Sequence, residues 1–145
     1  MPQAIAIADL YNASLKNYIM SFTTVASCGT DHAGWLKSIE FYEGEFNILK
    51  ERLLEIAAKN TGEAVMAEVE HFQNQFIVQR NNLDELKHLI HEHELQVSTD
   101  AKLHSGKMDT TRVRQHHEVK EQFDNTEKII NELRHEFNRF LAKWM

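Results

Sequence analysis

The sequence is poor in the residues that interrupt helices and build tight turns. Pro2 is its single proline, and it has five glycines among 145 residues. Because proline breaks helix interiors and all-β folds need turn residues at short intervals, this composition excludes an all-β fold and permits long helices. A chain of this length, 42% hydrophobic, is predicted to form a single domain over residues 1–145.

Cysteine is almost absent, and long apolar runs are missing altogether. With Cys28 alone, the chain cannot form an intramolecular disulfide, so a reducing cytoplasm is the expected compartment. The segment "VASCG" ending at Gly29 resembles the bacterial lipoprotein cleavage box, which makes a lipid anchor at Cys28 the alternative, although the stretch before it is short and polar. No run approaches the ~20 apolar residues that span a bilayer, so no membrane helix is predicted.

Positive charge is also scarce. The 16 Lys and Arg are outnumbered by 22 Asp and Glu, which gives a net charge of -6 and argues against nonspecific binding to nucleic acid. The chain contains no glycine-rich phosphate loop, no G-x-S-x-G and no H-E-x-x-H. Cys28 has His32 four residues further on, but no third group to orient the pair. The sequence therefore does not indicate an enzyme.

The dominant positive signal is a seven-residue hydrophobic repeat. Three predicted helices, over residues 35–59, 62–97 and 109–144, carry apolar residues at alternating steps of four and three. The predicted seam of the first of these is Trp35, Ile39, Tyr42, Phe46, Leu49, Leu53 and Ile56. A shared seam period and a short connection, "NTGE", predict an all-α, antiparallel coiled-coil bundle.

Residues 1–30 are predicted to form a separate N-terminal helix and loop. A weaker apolar stripe over residues 3–26 includes Leu10, Tyr18 and Phe22. The segment "SCGTDHAG", residues 27–34, then has two glycines and several cap-type residues, which predicts a break before the bundle begins. The architecture is thus three long helices plus an N-terminal helix.

Two groups of polar residues fall on the predicted seams. Antiparallel pairing places Tyr42, Gln79 and Thr126 in one layer, which we interpret as a structural polar layer because the trio lacks a base for catalysis. His93, Arg112 and His116 lie together at the far end of the hairpin. This end is either simply hydrated or forms a cleft for an anion or a pH-sensitive contact. Residues 1–30 or a second copy of the chain are predicted to cover the apolar positions there.

The spacing Glu-x-x-His supports a metal-binding alternative. Di-metal carboxylate bundles use this motif on two helices. Three pairs here have the spacing: Glu85/His88, and the two that supply the candidate ligands, Glu68/His71 and Glu132/His135. The heptad register, however, turns these side chains away from the seam. A divalent Fe, Mn or Zn site at the four residues is therefore kept as the alternative to a protein without a cofactor.

The stretch from Trp35 to Met145 contains "KNTGE", "VEHFQNQFIVQR", "DELKH" and "EFNRFLAKWM". On these segments it resembles a family of small uncharacterised bacterial helical proteins. The resemblance implies no activity and no functional residue. From the narrow seam and the uncovered hairpin end, the expected function is a non-enzymatic interaction or scaffold protein that forms homo-oligomers, with metal binding as the alternative.

Overall fold

The protein is an all-α bundle of three long helices, as predicted. A computed structural model describes the backbone of residues 2–104, 106 and 108–145, and the side chains of residues 6–13, 25–104, 106 and 108–145. The helices are α1 (Pro2–Lys59), α2 (Glu63–Leu103) and α3 (Thr110–Trp144). No strand occurs among the described residues. Side-chain pairs such as Glu43 with Lys87 and His32 with His93 show that α1 and α2 run antiparallel.

The seven-residue repeat correctly predicted the buried faces of α2 and α3, and most of that of α1 from Trp35 to Ile56, where Leu49 is half-buried. In α2 the buried residues are Val65, Val69, Phe72, Phe76, Gln79, Leu83, Leu86, Ile90, His93 and Val97, all of which lie on the predicted seam. The seam of α3 is buried from His116 to Phe140, while Trp144 at its end is half-buried. Such agreement follows from helix geometry, since residues three and four apart share one face.

The predicted break over residues 27–34 is wrong, because α1 continues through it without interruption. The hydrophobic seam explains why: Cys28 and His32 extend the steps of three and four that lead back from Trp35. Cys28 and His32 are both 1% exposed, so tertiary burial supports this helical turn. Each glycine costs a helix about 1 kcal/mol relative to alanine, and packing on this face outweighs that cost. The predicted N-terminal helix and first core helix are therefore one element.

Replacing Gly34 with alanine is expected to stabilise the protein by about 0.5–1 kcal/mol, because a methyl group favours the helix. A Cβ built at Gly34 meets nothing within 4 Å, so no clash offsets the gain. Urea unfolding measures the change. Gly106→Ala is the matched control: its φ of 84° in the second connection strains any other residue, so the same substitution should destabilise there. A loss of stability in Gly34→Ala would contradict this account of α1.

The continuous first helix also covers the far end of the α2/α3 hairpin. Cys28 packs into a small cluster with Val97 and Met108, and Val25 and Val113 border it. This is the covering role predicted for residues 1–30, carried out by their last turn. Further upstream, residues 6–13 are exposed, and the side chains of Tyr18 and Phe22 lie outside the described residues. Within the described chain, no helix has an apolar stretch long enough to cross a membrane.

Candidate metal centre

Three histidines, one from each helix, meet inside the bundle. His32 of α1, His93 of α2 and His116 of α3 each place one ring nitrogen within 4.8 Å of those of the other two. They are 1%, 3% and 9% exposed. The ring centroids are 5.1 to 5.4 Å apart, so the three imidazoles surround a common point.

Hydrogen bonds determine which nitrogen of His93 and His116 is free. His93 Nε2 lies 2.9 Å from the carbonyl oxygen of Arg112, and His116 Nε2 lies 2.8 Å from Oδ2 of Asp31. A carbonyl and a carboxylate only accept, so both Nε2 atoms carry the proton and donate. In the neutral rings the lone pair is therefore on Nδ1 in both cases.

The third imidazole, that of His32, is hydrogen-bonded to His93. His32 Nε2 lies 3.0 Å from His93 Nδ1, and because that Nδ1 is an acceptor, His32 Nε2 donates to it. His116 Nδ1, in contrast, is buried without a hydrogen-bond partner. Buried polar atoms are nearly always paired, so this lone pair calls for an explanation, and coordination of an ion is one that also accounts for the two imidazoles beside it.

Burial favours the neutral form of two of the three histidines, His32 and His93. Desolvation, together with the neighbouring His93 and His116, lowers the pKa of His32 to about 4, while Asp31 opposes the shift. Burial also lowers the pKa of His93, against the effect of its hydrogen bond to Arg112. Metals bind neutral imidazole, so a lowered pKa makes the lone pairs available without competition from protons.

An aromatic wall closes one side of the three histidines. Trp35 stacks on His116, with centroids 5.0 Å apart and planes at 30°, and its ring is 5.6 Å from that of His32. Phe123 stacks on Trp35 in turn at 5.9 Å. The ring of Trp35 is thus a rigid apolar support that fixes the orientation of His116.

Cys28 lies one turn before His32, next to the histidines but outside their group. Its sulfur is 4.0 Å from Sδ of Met108. Burial, together with the charge of Asp31, raises the pKa of the thiol to about 11. Cys28, the residue considered as a lipid anchor, is therefore a protonated thiol in the interior of the bundle.

The structure divides the predicted group of His93, Arg112 and His116. The two histidines come together as described, but the guanidinium of Arg112 turns away. Its Nε donates to Asp100 at 3.2 Å, and its terminal nitrogen donates to Gln115 at 2.8 Å and Gln96 at 3.3 Å. Arg112 contributes only its backbone carbonyl to the site, so its charge is paired within the hairpin and not directed at an anion next to the histidines.

The predicted polar layer is buried but does not form a mutual network. Tyr42 donates from its hydroxyl to Glu127 at 2.8 Å, and the hydroxyl of Thr126 donates to the Gln122 carbonyl of its own helix. Gln79 accepts from Asn82, also on its own helix. Burial and the bond to Glu127 raise the pKa of Tyr42 to about 12, so it is a neutral donor here.

The four residues of the metal-binding alternative do not meet. His71, Glu132 and His135 are exposed. The carboxylate of Glu68 accepts from Trp144 Nε1 at 2.7 Å and from Lys143 at 3.1 Å, which ties the end of α3 to α2. Their positions agree with the outward facing that the heptad register predicted, so a metal at these residues has no interior site to occupy.

Sequence reasoning missed His32 and Asp31, which it assigned to a loop. One signal was present in the α1 seam. Continued backwards from Trp35, the seam reaches His32 after a step of three residues and Cys28 after a step of four. The same backward extension along α3 did identify His116. The glycines at 29 and 34 concealed the equivalent step on α1.

Comparison with known proteins identifies no relative of this chain. No family model matches the chain, and no curated protein and no solved structure does either.

Proposed function

We propose that this protein is a metal-binding helical bundle in which His32, His93 and His116 hold one first-row transition-metal ion, Zn(II) before others. The observation that carries the proposal is the convergence of three buried imidazoles from three helices, one with an orphan lone pair at Nδ1. Imidazole is a good ligand for Zn, Cu, Ni and Co, and a site of three histidines suits the tetrahedral preference of zinc.

The coordination requires a small rearrangement of protons. His93 and His116 present Nδ1 with a lone pair, whereas His32 Nε2 carries the proton that it donates to His93. Metal binding would require this proton to move to His32 Nδ1, which would keep the ring neutral and free Nε2 as a ligand. The three nitrogens lie within 4.8 Å of one another, so ring movements would have to bring them to the roughly 3.3 Å spacing of tetrahedral ligands with Zn–N bonds of about 2.0–2.1 Å.

The groups behind the histidines match those found behind metal ligands. A ligating histidine usually donates its other N–H to a carboxylate or a backbone carbonyl, which fixes the tautomer and raises the basicity of the ligand atom. Here His116 donates its Nε2 proton to the carboxylate of Asp31, and His93 donates its Nε2 proton to the backbone carbonyl of Arg112. Two of the three proposed ligands are thus oriented before any ion arrives.

Zinc titration of the full-length protein tests the proposal. The chain is purified without an affinity tag, stripped with a chelator and titrated with Zn(II) by isothermal calorimetry, alongside elemental analysis of the untreated protein. We expect one zinc per chain. In His116→Phe, which keeps the ring against Trp35 but removes both nitrogens, the affinity should fall by at least roughly 100-fold, more than the loss of an outer-shell partner.

Two further variants make the result specific. Asp31→Asn keeps the shape of the partner of His116 and should weaken zinc binding by about 10-fold or more, which covers the case that His116→Phe does not fold. His71→Gln with His135→Gln removes two of the exposed histidines, those of the Glu-x-x-His alternative, and should leave the affinity unchanged. Absence of zinc from the purified protein together with a flat titration would refute the proposal.

A second candidate function, a scaffold or interaction protein that forms homo-oligomers, is favoured by the first turns of α1. Ile7, Leu10 and Tyr11 are 68–71% exposed on a helix with Asp9 as its single charge between residues 6 and 13. Large apolar side chains exposed together mark surfaces that associate. The two functions are compatible, since His32 lies on a later part of α1 and the other two histidines lie on α2 and α3. A reducing cytoplasm suits the buried free thiol.

Light scattering at high protein concentration tests the oligomer. We expect a dimer or larger assembly that becomes a monomer in the double variant Ile7→Lys/Leu10→Lys, because buried charges in an apolar interface are costly. Leu95→Lys, at an equally exposed position of α2, is the matched control and should not change the mass. A wild-type protein that stays monomeric at every concentration would exclude this candidate.

A further inference from the structure

The three histidines leave a tetrahedral ion with one unfilled position. Among the described His, Cys, Asp and Glu residues, no fourth side chain brings a donor atom into the group. The carboxylate of Asp31 is engaged by His116 at 2.8 Å. The thiol of Cys28 lies outside the group and contacts Met108. Zinc sites closed by four protein ligands are structural, whereas three ligands and an open position are characteristic of sites that bind a further molecule.

A cavity between α1 and α3 borders one of the proposed ligands. It is lined by Cys28, Asp31, Val113, His116 and Lys120, among others. His116, whose Nδ1 has no partner, is the proposed ligand that borders this cavity. Lys120 lies one turn further along α3 and is exposed, so its ammonium group is at the cavity with its charge unburied. A small molecule in this cavity meets the ammonium group of Lys120 at the edge and the hydrogen-bonded pair of His116 and Asp31 in the wall.

We infer that the fourth ligand comes from outside the protein: a water or hydroxide that a small anion entering through the α1/α3 cavity replaces. This inference rests on the proposed metal site and adds the class of ligand it takes. Binding of water to zinc lowers the pKa of that water to about 7 in favourable sites, so hydroxide is available near neutral pH. An anion displaces the water without any redox step, and the water returns to solvent. Lys120 favours the anion electrostatically.

Cobalt provides a spectroscopic probe of this position. Full-length protein is loaded with Co(II), which takes the place of zinc and absorbs visible light, and calorimetry first establishes that one Co(II) binds per chain. Sodium azide is then titrated in. We expect a saturable change in the visible spectrum. In Lys120→Gln the azide affinity should fall about two- to five-fold, the effect of one exposed charge, whereas Lys128→Gln on the same helix should not change it.

The possible results separate the two proposals. If Co(II) does not bind, the metal site itself fails. If Co(II) binds but azide leaves the spectrum unchanged, the fourth position is closed and the inference is overturned. A thiolate-to-cobalt charge-transfer band that disappears in Cys28→Ser would overturn it as well and identify Cys28 as the fourth ligand. Retention of the azide response in Cys28→Ser, within two-fold in affinity, supports an external ligand.

Discussion

Replacing Phe137 with alanine is expected to lower the free energy of unfolding by about 3–5 kcal/mol, the usual cost of removing a buried phenylalanine ring. Phe137 is fully buried, at 0% exposure, in the C-terminal half of α3. Its ring packs against those of Phe72 at 5.3 Å, Phe76 at 5.2 Å and Phe140 at 5.7 Å. The substitution leaves a cavity among rigid rings that cannot collapse to fill it, which places the expected loss toward the upper part of that range.

Phe41→Ala is the matched control for Phe137→Ala. Phe41 is 59% exposed on α1, although its ring does contact Tyr42, so its removal should cost less than about 1 kcal/mol. Urea denaturation of both variants, followed by circular dichroism, measures the difference. Equal losses in the two variants would show that the aromatic cluster is not the core on which the bundle depends.

The core could be predicted from sequence because its cause is local geometry. A residue such as Phe72 or Phe137 is recognisable from its place in the seven-residue repeat, since a helix turns the same face inward every three or four residues. The same rule predicted that the side chains of His71 and His135 point to solvent. This orientation excluded the Glu-x-x-His pairs from the interior of the bundle. The repeat therefore identified most of the buried side chains of α2 and α3.

The upstream part of α1 could not be predicted in the same way. Gly29, Gly34 and the polar residues between them predict a break when only neighbouring residues are considered. What keeps this segment helical is contact with residues more than 60 positions away, such as the hydrogen bond between His32 and His93. Local preference is a weak guide wherever tertiary burial compensates for it.

The metal centre was predictable only in part for a related reason. The register brings His93 and His116 to the same end of the hairpin, and this could be inferred from the sequence. It does not specify how far a long side chain extends or which partner it takes. Arg112 shares the seam with them, but Asp100 draws its guanidinium away and leaves its carbonyl to orient His93. Asp31, on the flank of the α1 seam, becomes the partner of His116 only once three helices have packed.

Acidification of the metal-free protein is expected to remove about 3 kcal/mol of stability between pH 7 and pH 4 through His32 alone. In the folded protein burial lowers the pKa of His32 from 6.5 to about 4. The unfolded chain therefore takes up a proton below about pH 6.5 while the folded chain does not. The contribution is complete above pH 6.5 and is lost as the pH falls towards 4. His93, whose pKa is also lowered, acts in the same direction.

The charged and titratable groups around His32 on balance add to the lowering of its pKa. His93 and His116 face it from α2 and α3 and disfavour a positive charge, whereas Asp31, next to it on α1, favours one. Urea unfolding at a series of pH values, with a chelator present, measures the slope. In His32→Gln the slope should become shallower by the contribution of one proton, because glutamine does not titrate. His88→Gln, at an exposed position of α2, should follow the wild type. A wild-type slope preserved in His32→Gln would show that the buried imidazole is not the group that titrates.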